Sequence, residues 1–323
     1  MKKKLGQLKR NFFMLIDYFQ DYLLYAKYNF GNYKNKKKEA LEGKIRRQLH
    51  ILEKGMSLSN PKIGFGQEKI RVLFQYLDEY IKLGYDSKNN IMDTAIGTLK
   101  AYMTYFKKKG YNNTELERKI ASYGHDYGVE NEFGVYTVEL VELQKKMNGD
   151  FLDFFLSRHS VRQFSDKKVE ITLIEKAIKL AMNAPSACNR QGTKVYVIAD
   201  DEIKRTLGNE LIEGNNGFAN EVDKYLVVTG ERMAFTDSYE RNQFVVDASL
   251  FAMSLVLALH YYGIGSCILQ ASERKILDKK RHELLEIPKS EKIVLFIAIG
   301  HYKSEFQVAK SRRKNIEDCF VIR

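Results

Sequence analysis

Cysteine is scarce in this chain of 323 residues. Cys188, Cys267 and Cys319 are odd in number and show no paired spacing, which excludes a disulfide framework and offers no zinc-binding pattern. A reducing, cytoplasmic setting is the expectation. A long apolar run is also missing from the amino-terminal stretch MKKKLGQLKRNFFMLIDYFQ, where Asp17 and Asp21 interrupt the pattern short of the roughly 20 residues that span a bilayer. No small-residue cleavage site follows, so the stretch reads as an amphipathic helix and not as a signal peptide or transmembrane segment, with contact to a membrane surface as the lesser alternative. Several chemical signatures are lacking too: there is no G-x-x-x-x-G-K-[ST] loop, no H-E-x-x-H and no C-x-x-C. The six histidines show no metal-ligand spacing, so no metal site is expected. Gly64-Phe-Gly66 and Gly263-Ile-Gly265 lack the third glycine of a dinucleotide fingerprint, and Ser266 lies in G-I-G-S-C, not in the G-x-S-x-G of a hydrolase.

What is present divides into two textures. Of the formal net charge of +12, residues 1–150 carry +9. The lysines there are dispersed along apparent helices, as on a solvated face, and no nucleic-acid recognition motif accompanies them. Apolar residues Phe12, Leu15, Ile16, Phe19 and Leu23 recur at helical spacing between residues 8 and 30, and the pattern returns at 39–54, 67–83 and 89–107. Breaks fall near Gly31-Asn32, Ser59-Asn60-Pro61, Gly84 and Gly110–Asn113. The many tyrosines and phenylalanines read as packing residues of a helical region.

After about residue 150, short apolar runs alternate with helices. Residues 194–200, 224–231, 265–270 and 291–302 have the β-branched and aromatic content of strands. A helix is expected from Thr172, where Thr-Leu-Ile-Glu has the form of a capping box, towards Pro185. A second, at 242–262, is apolar nearly all round and must be enclosed in a core or a subunit interface; Asp247 argues against its spanning a membrane. The expected division is a helical region at 1–150 and an α+β domain at 151–323.

Five fragments in the second part carry the chemistry: R-H-S-V-R at 158–162, A-P-S-A-C-N-R-Q at 184–191, G-I-G-S-C at 263–267, I-G-H-Y at 299–302 and K-S-R-R at 310–313. Arg158 and Arg162 flank Ser160, and two guanidinium forks meeting at one point suit a phosphate or carboxylate. Each fragment also has a plainer, lesser alternative: a surface ion pair, a helix-stop turn or loop glycines. In order and spacing together they resemble the nitroreductase family of flavin enzymes over residues 151–323.

The resemblance implies an α+β, mainly antiparallel sheet flanked by helices, in an intertwined homodimer with FMN at the interface. In it, Arg158, His159, Ser160 and Arg162 grip the FMN phosphate, with Arg312 or Arg313 as a second basic contact. Pro185, Ser186, Asn189 and Gln191 lie against the flavin and ribityl chain of the neighbouring subunit. The sequence departs from the family pattern after Gln191, where Gly192 and Thr193 replace a proline and an aromatic residue. The turn of Gly263, Gly265 and Ser266 offers a backbone N–H to flavin N5, Asn216 lies at the pyrimidine edge, and Cys319–Ile322 crosses to the partner as a strand. No side chain stands out as an essential acid or base.

The activity implied is hydride transfer from NADH or NADPH through FMN to a small-molecule acceptor such as a nitroaromatic or quinone. Two alternatives remain at this stage. One is a substrate-specific flavin dehydrogenase or reductase of a biosynthetic pathway, such as polysaccharide synthesis. The other is a flavin-less interaction protein using the basic helical part to bind a protein partner, a membrane surface or nucleic acid.

Overall fold

The computed structural model describes residues 2–28, 36–87, 89–124, 132–235, 238–271 and 274–323. The break expected at Gly31-Asn32 lies outside them. Two compact units emerge. One holds Tyr18–Tyr136 and Val308–Arg323, the other Met1–Asp17 and Thr137–Gln307. These units part near residue 136, not at 150, and the last 16 residues group with the helical unit. Local bonds account for that return: Lys310 N–H donates to Gly134 O at 3.0 Å, and Asn90 Nδ2 donates to Asn315 Oδ1 at 3.0 Å.

The chain opens with α1 (Lys2–Tyr28), a helix on which Phe12, Leu15, Phe19 and Leu23 are exposed. Helices α2 (Lys38–Met56), α3 (Gln67–Lys82), α4 (Asn90–Lys107) and α5 (Thr114–Ala121) follow. Their cores are built at helical spacing from Leu41, Ile45, Leu49 and Leu52, from Leu73, Leu77 and Tyr80, and from Ala95, Leu99, Tyr102 and Phe106. Asn89 and Asn113 start α4 and α5 by accepting the N–H of Met92 and Leu116, which satisfies donors the helix leaves open. The aromatic residues of α3 and α4 are packing residues, as expected, whereas Phe12, Phe13, Phe19 and Tyr22 of α1 are exposed. Phe65 stands edge-on to Tyr102 and Phe106, and Gly55 is required because a Cβ there would lie 2.1 Å from the Phe65 ring.

Strand β1 (Val135–Glu139) leads through α6 (Leu140–Met147) and α7 (Phe151–Ser157) to α8 (Ile171–Ala181). The capping box at Thr172 does not form. The N-cap position is Glu170, whose side chain makes no cap bond, and the helix begins at Ile171 with Ile174 and Ala177 in the buried core. Then come β2 (Thr193–Ile198), α9 (Asp201–Thr206), β3 (Lys224–Glu231), α10 (Gln243–Tyr261), β4 (Ile264–Gln270), α11 (Lys275–Leu284), β5 (Glu291–His301) and β6 (Glu305–Ala309). Strands β2-β3-β5-β4 form one sheet with every pair antiparallel, while β1 and β6 form a two-stranded sheet.

Buried Glu291 ties three strands of the larger sheet together. Its carboxylate accepts from Lys194 Nζ at 2.6 Å, Thr229 Oγ1 at 2.6 Å and Tyr196 O–H at 3.0 Å. Burial pushes this carboxyl up, but the three donors outweigh it and hold it below the usual carboxylate range.

Helices α8 and α10 pack on the sheet, with Ala248, Ala252, Leu255 and Leu259 of α10 joining Ile174, Leu226, Val228, Ile297 and Ile299. α10 is long and apolar enough to cross a membrane, but half of it is buried in this core. Its other side leaves Val246, Leu250 and Met253 exposed at 47%, 44% and 39%. The segment Cys319–Ile322 forms no strand; it is irregular and exposed, having no ladder partner among the described residues.

Candidate functional site

Three of the five fragments lie side by side. α7 gives way at Arg158 to extended backbone, and the strap that follows runs along β4 and past the end of β5: Ser160 bridges Ser266, Val161 N–H donates to Ser266 O at 2.9 Å, and Phe164 bridges Tyr302. Buried Val161 and Phe164 hold the strap down between the polar positions. Gly300 lets it close, because a Cβ there would be 2.7 Å from the Phe164 ring. The fragments at 158–162, 263–267 and 299–302 are thus one construction.

Arg162 is the residue this construction buries at a cost. It is 6% exposed, its Nη1 donates weakly to Ser160 O at 3.4 Å, and its Nε is shielded from water with no hydrogen-bond partner. A guanidinium buried with an open donor calls for an anion. Beside it, burial and the charge of Arg158 lower the His159 imidazole to about 4, so at neutral pH the strap's charge rests on arginine.

Behind the strap lies a buried polar chain. Ser157 Oγ donates to Phe154 O at 2.9 Å and is 2.9 Å from His260 Nε2, while His260 Nδ1 is 2.8 Å from the Tyr302 hydroxyl. Since the serine proton is spent on Phe154, His260 donates from Nε2 and accepts the Tyr302 proton at Nδ1. Burial, then Arg158 and His159, depress His260 to about 4.

The loop at 184–191 forms a second wall. Cys188, Asn189 and Gln191 all have left-handed φ, at 51°, 54° and 51°, a strained run for residues with side chains. The restraints are visible. Asp247 on α10 accepts Ala187 N–H at 3.1 Å and Gln243 Nε2 at 2.8 Å. Ser186 Oγ accepts Gln191 N–H at 3.2 Å, and Arg190 grips Glu240 with two bonds of 3.0 and 2.7 Å. The loop opens onto a cavity of about 90 Å³ lined by Pro185, Ser186, Gln191, Thr193, Asp247 and Phe251. No residue of the 158–162 strap lines it.

Other expected contacts fall differently. The Gly263 N–H donates to His260 O at 3.0 Å; it ends α10 and is no free donor, with its φ of 72° serving the helix stop. Gly265 is needed for packing, since a Cβ would meet the Tyr302 ring at 3.2 Å and Gly300 O at 3.3 Å. Asn216 is exposed on a turn, whereas its neighbour Asn215 is buried and donates to Gly208 O and Tyr225 Oη at 2.7 and 3.0 Å. Arg312 and Arg313 belong to the helical unit: Arg312 Nε lies 3.5 Å from Glu132 and its guanidinium over Phe133, and Arg313 donates to Ser311 O at 3.0 Å. Asp247 is the residue that motif reading missed, and its one signal was a carboxylate in an otherwise apolar helix.

Comparison with known proteins bears on this arrangement directly. Residues 156–301 match the sequence model of the nitroreductase family. They form a nitroreductase-family domain. A relative from Archaeoglobus fulgidus, described as "Putative NADH dehydrogenase/NAD(P)H nitroreductase", is 29% identical over 154 residues, which is 48% of this chain and 86% of that protein. An iodotyrosine deiodinase from Haliscomenobacter hydrossis is 23% identical over 202 residues, 54% of this chain and 89% of that one. Among solved structures, an FMN-dependent nitroreductase from Clostridium difficile R20291 is 25% identical, covers 51% of this chain and 92% of its own, and superposes with a TM-score of 0.41. The domain has the family's fold of an antiparallel sheet flanked by helices, preceded by a helical region that the family model leaves unassigned.

Proposed function

We propose that this protein is an FMN-dependent oxidoreductase that accepts a hydride from NADH or NADPH and passes the electrons to a small-molecule acceptor such as a nitroaromatic or a quinone. One observation carries the reading: Arg162, buried with an unpartnered nitrogen in a strap built on β4, within a domain that matches the nitroreductase family. A flavin phosphate supplies the acceptor that this guanidinium lacks. The residues therefore fit the cofactor.

When bound, FMN supplies the redox chemistry, taking a hydride and returning electrons. The chain's part is to bind and orient. Arg158 and Arg162 hold the phosphate end, with the Ser160–Ser266 bridge setting their spacing. The strained 184–191 loop, fixed by Asp247, offers a rigid wall at Pro185 and Ser186. Among the described residues no buried carboxylate or imidazole lines the strap in a form able to donate a proton at neutral pH, since His159 and His260 are both held neutral; solvent serves that role in this reading.

Because the strap and the loop wall line no common cavity, the reading takes each flavin site to be completed by a second copy of the chain, joined along the exposed side of α10. Its free cysteines favour a reducing cytoplasm. The test is the visible spectrum of the purified full-length protein and the identity of the released chromophore, followed by anaerobic titration with NADH and NADPH. A protein that stays colourless and takes up no FMN at saturation ends the reading. Strong turnover of simple quinones and nitroaromatics supports a broad acceptor range; reduction of the flavin without such turnover points to a dedicated substrate.

A further inference from the structure

The helical unit has a cavity of its own. It encloses about 280 Å³ between the start of α2, the amino end of α4 and the returning carboxy-terminal segment, and its lining is polar throughout apart from Ile91. Two arginines from distant parts of the chain reach it, Arg46 of α2 and Arg312 of the returning segment, together with Lys38. Each arginine is incompletely satisfied. Arg46 Nη2 makes one long bond of 3.4 Å to Asn90 Oδ1, and its Nε is shielded from water with no partner. Arg312 uses Nε on Glu132 at 3.5 Å, and its Nη1 is likewise shielded and without a partner.

The surroundings are built to hold these groups in place. Buried Asn90, 8% exposed, accepts from Arg46 and donates to Asn315 Oδ1 at 3.0 Å. One amide thus links α2, α4 and the returning segment. Asn89 is spent on the fold, capping Met92 N–H and donating to Tyr80 Oη at 2.8 Å. α4 has 18 residues, and its amino end adds a positive partial charge to the same space. Carboxylates balance the lining. Of the three present, Glu42 accepts from Tyr80 O–H at 3.2 Å and lies 3.9 Å from Lys38 Nζ, and Asp93 and Asp318 complete the set. Three cations against three carboxylates leave no net excess to attract a polyanion.

Two guanidinium groups that line one polar cavity and make only long contacts inside the protein are the arrangement a single oxyanion completes, because each fork can offer paired donors to its oxygens. We propose that this cavity is a binding site for a small molecule carrying one oxyanionic group, a carboxylate or a phosphate monoester, held by Arg46 and Arg312 at the amino end of α4. The carboxylates around it take hydroxyl donors on the rest of the ligand and repel a second negative charge. The site gives the helical unit a ligand of its own, separate from any cofactor of the nitroreductase domain.

The experiment is calorimetric titration of the full-length protein, saturated with FMN so that the Arg158–Arg162 strap does not compete, with inorganic phosphate, malonate and inorganic triphosphate as probes. Saturable binding of phosphate or malonate is expected, and which of the two binds more tightly identifies the ligand's anionic group. Triphosphate is expected to bind no more tightly than phosphate. R46M should weaken binding by about ten-fold or more, the size of one lost charge-assisted contact, while R71M, which removes an exposed arginine of α3 outside the cavity, leaves it unchanged. R312Q carries the same expectation as R46M on an irregular segment, and so decides the matter should R46M fail to fold. Absence of saturable binding by the wild-type protein, or binding that both R46M and R312Q retain in full, overturns the proposal; so does an equal loss of binding in R71M.

Discussion

The carboxylate of Asp247 accepts the backbone N–H of Ala187 at 3.1 Å, joining the second turn of α10 to a strained loop. Three residues of that loop sit at left-handed φ, each costing on the order of 1 kcal/mol or more, and Asp247 is the fixed acceptor that keeps the turn closed. Replacing it by alanine removes the acceptor and leaves Ala187 N–H open, a loss of about 1–3 kcal/mol. D247A is expected to speed amide exchange at Ala187 and to weaken FMN binding, while D247N, which keeps a carbonyl oxygen at the same reach, retains most of both. Exchange mass spectrometry and flavin titration check this, and equal behaviour of the two variants would remove Asp247 from its positioning role.

Arg162 makes the opposite trade. In the ligand-free protein its unpartnered nitrogen is a liability, so R162M should unfold at a denaturant concentration equal to or higher than the wild type, by up to ~1–2 kcal/mol. The same change should lower FMN affinity by about ten- to a hundred-fold, corresponding to one or two charge-assisted bonds. Stability that rises while affinity falls marks a side chain kept for its ligand. A purely structural arginine would lose both together.

The Ser157–His260–Tyr302 chain makes stability depend on pH. His260 is 1% exposed and held at about 4 against an ordinary value near 6.5. The unfolded chain therefore binds the proton between those limits and the folded chain does not. The stabilisation is complete above about pH 6.5 and drains away as pH falls towards 4. At about pH 5 the loss from this one group approaches ~2 kcal/mol. His159 shifts in the same direction, so the contribution of His260 is read by difference. Urea unfolding at about pH 7.5 and about pH 5 should show a smaller gap in H260Q than in the wild type, and an unchanged gap would place the acid sensitivity elsewhere.

The outline of the catalytic domain was legible because its strands are apolar runs between turn residues. The stretch expected at 224–231 is β3 itself, and 265–270 and 291–302 differ from β4 and β5 by a residue at one end. The short elements α6, α9 and β6 escaped notice, each being too brief for a periodic pattern to stand out from its neighbours. The capping box at Thr172 did not mark the helix start, because the helix already begins at Ile171 and leaves Thr172 inside its first turn. In the site, R-H-S-V-R could be seen as an anion motif from residue types alone. That Gly263 spends its N–H on His260 could not, since it depends on where α10 stops. Asp247 was visible only as a charge in an apolar helix, and its partner lies 60 residues away in the chain.

α10 carries the remaining prediction. Val246, Leu250 and Met253 are spaced to lie on one side of the helix, and all three are exposed, although the opposite side is packed into the core through Ala248, Ala252 and Leu255. Fully covering a side chain of this size contributes about 1.5–3 kcal/mol, so a partner helix laid on this stripe recovers several kcal/mol once both copies are counted. Light scattering on the wild-type protein is expected to give twice the chain mass. L250E sets a carboxylate in the centre of the seam, where two copies bring two like charges together without compensation, and should shift the protein to the monomer while leaving the Ala248–Leu255 core intact. If the flavin site needs both chains, the monomeric variant loses FMN as it loses its partner, and the two losses follow the same dependence on protein concentration. A wild-type monomer that binds FMN stoichiometrically would leave the exposed stripe without this role and would require the strap and the 184–191 loop to serve one site within a single chain.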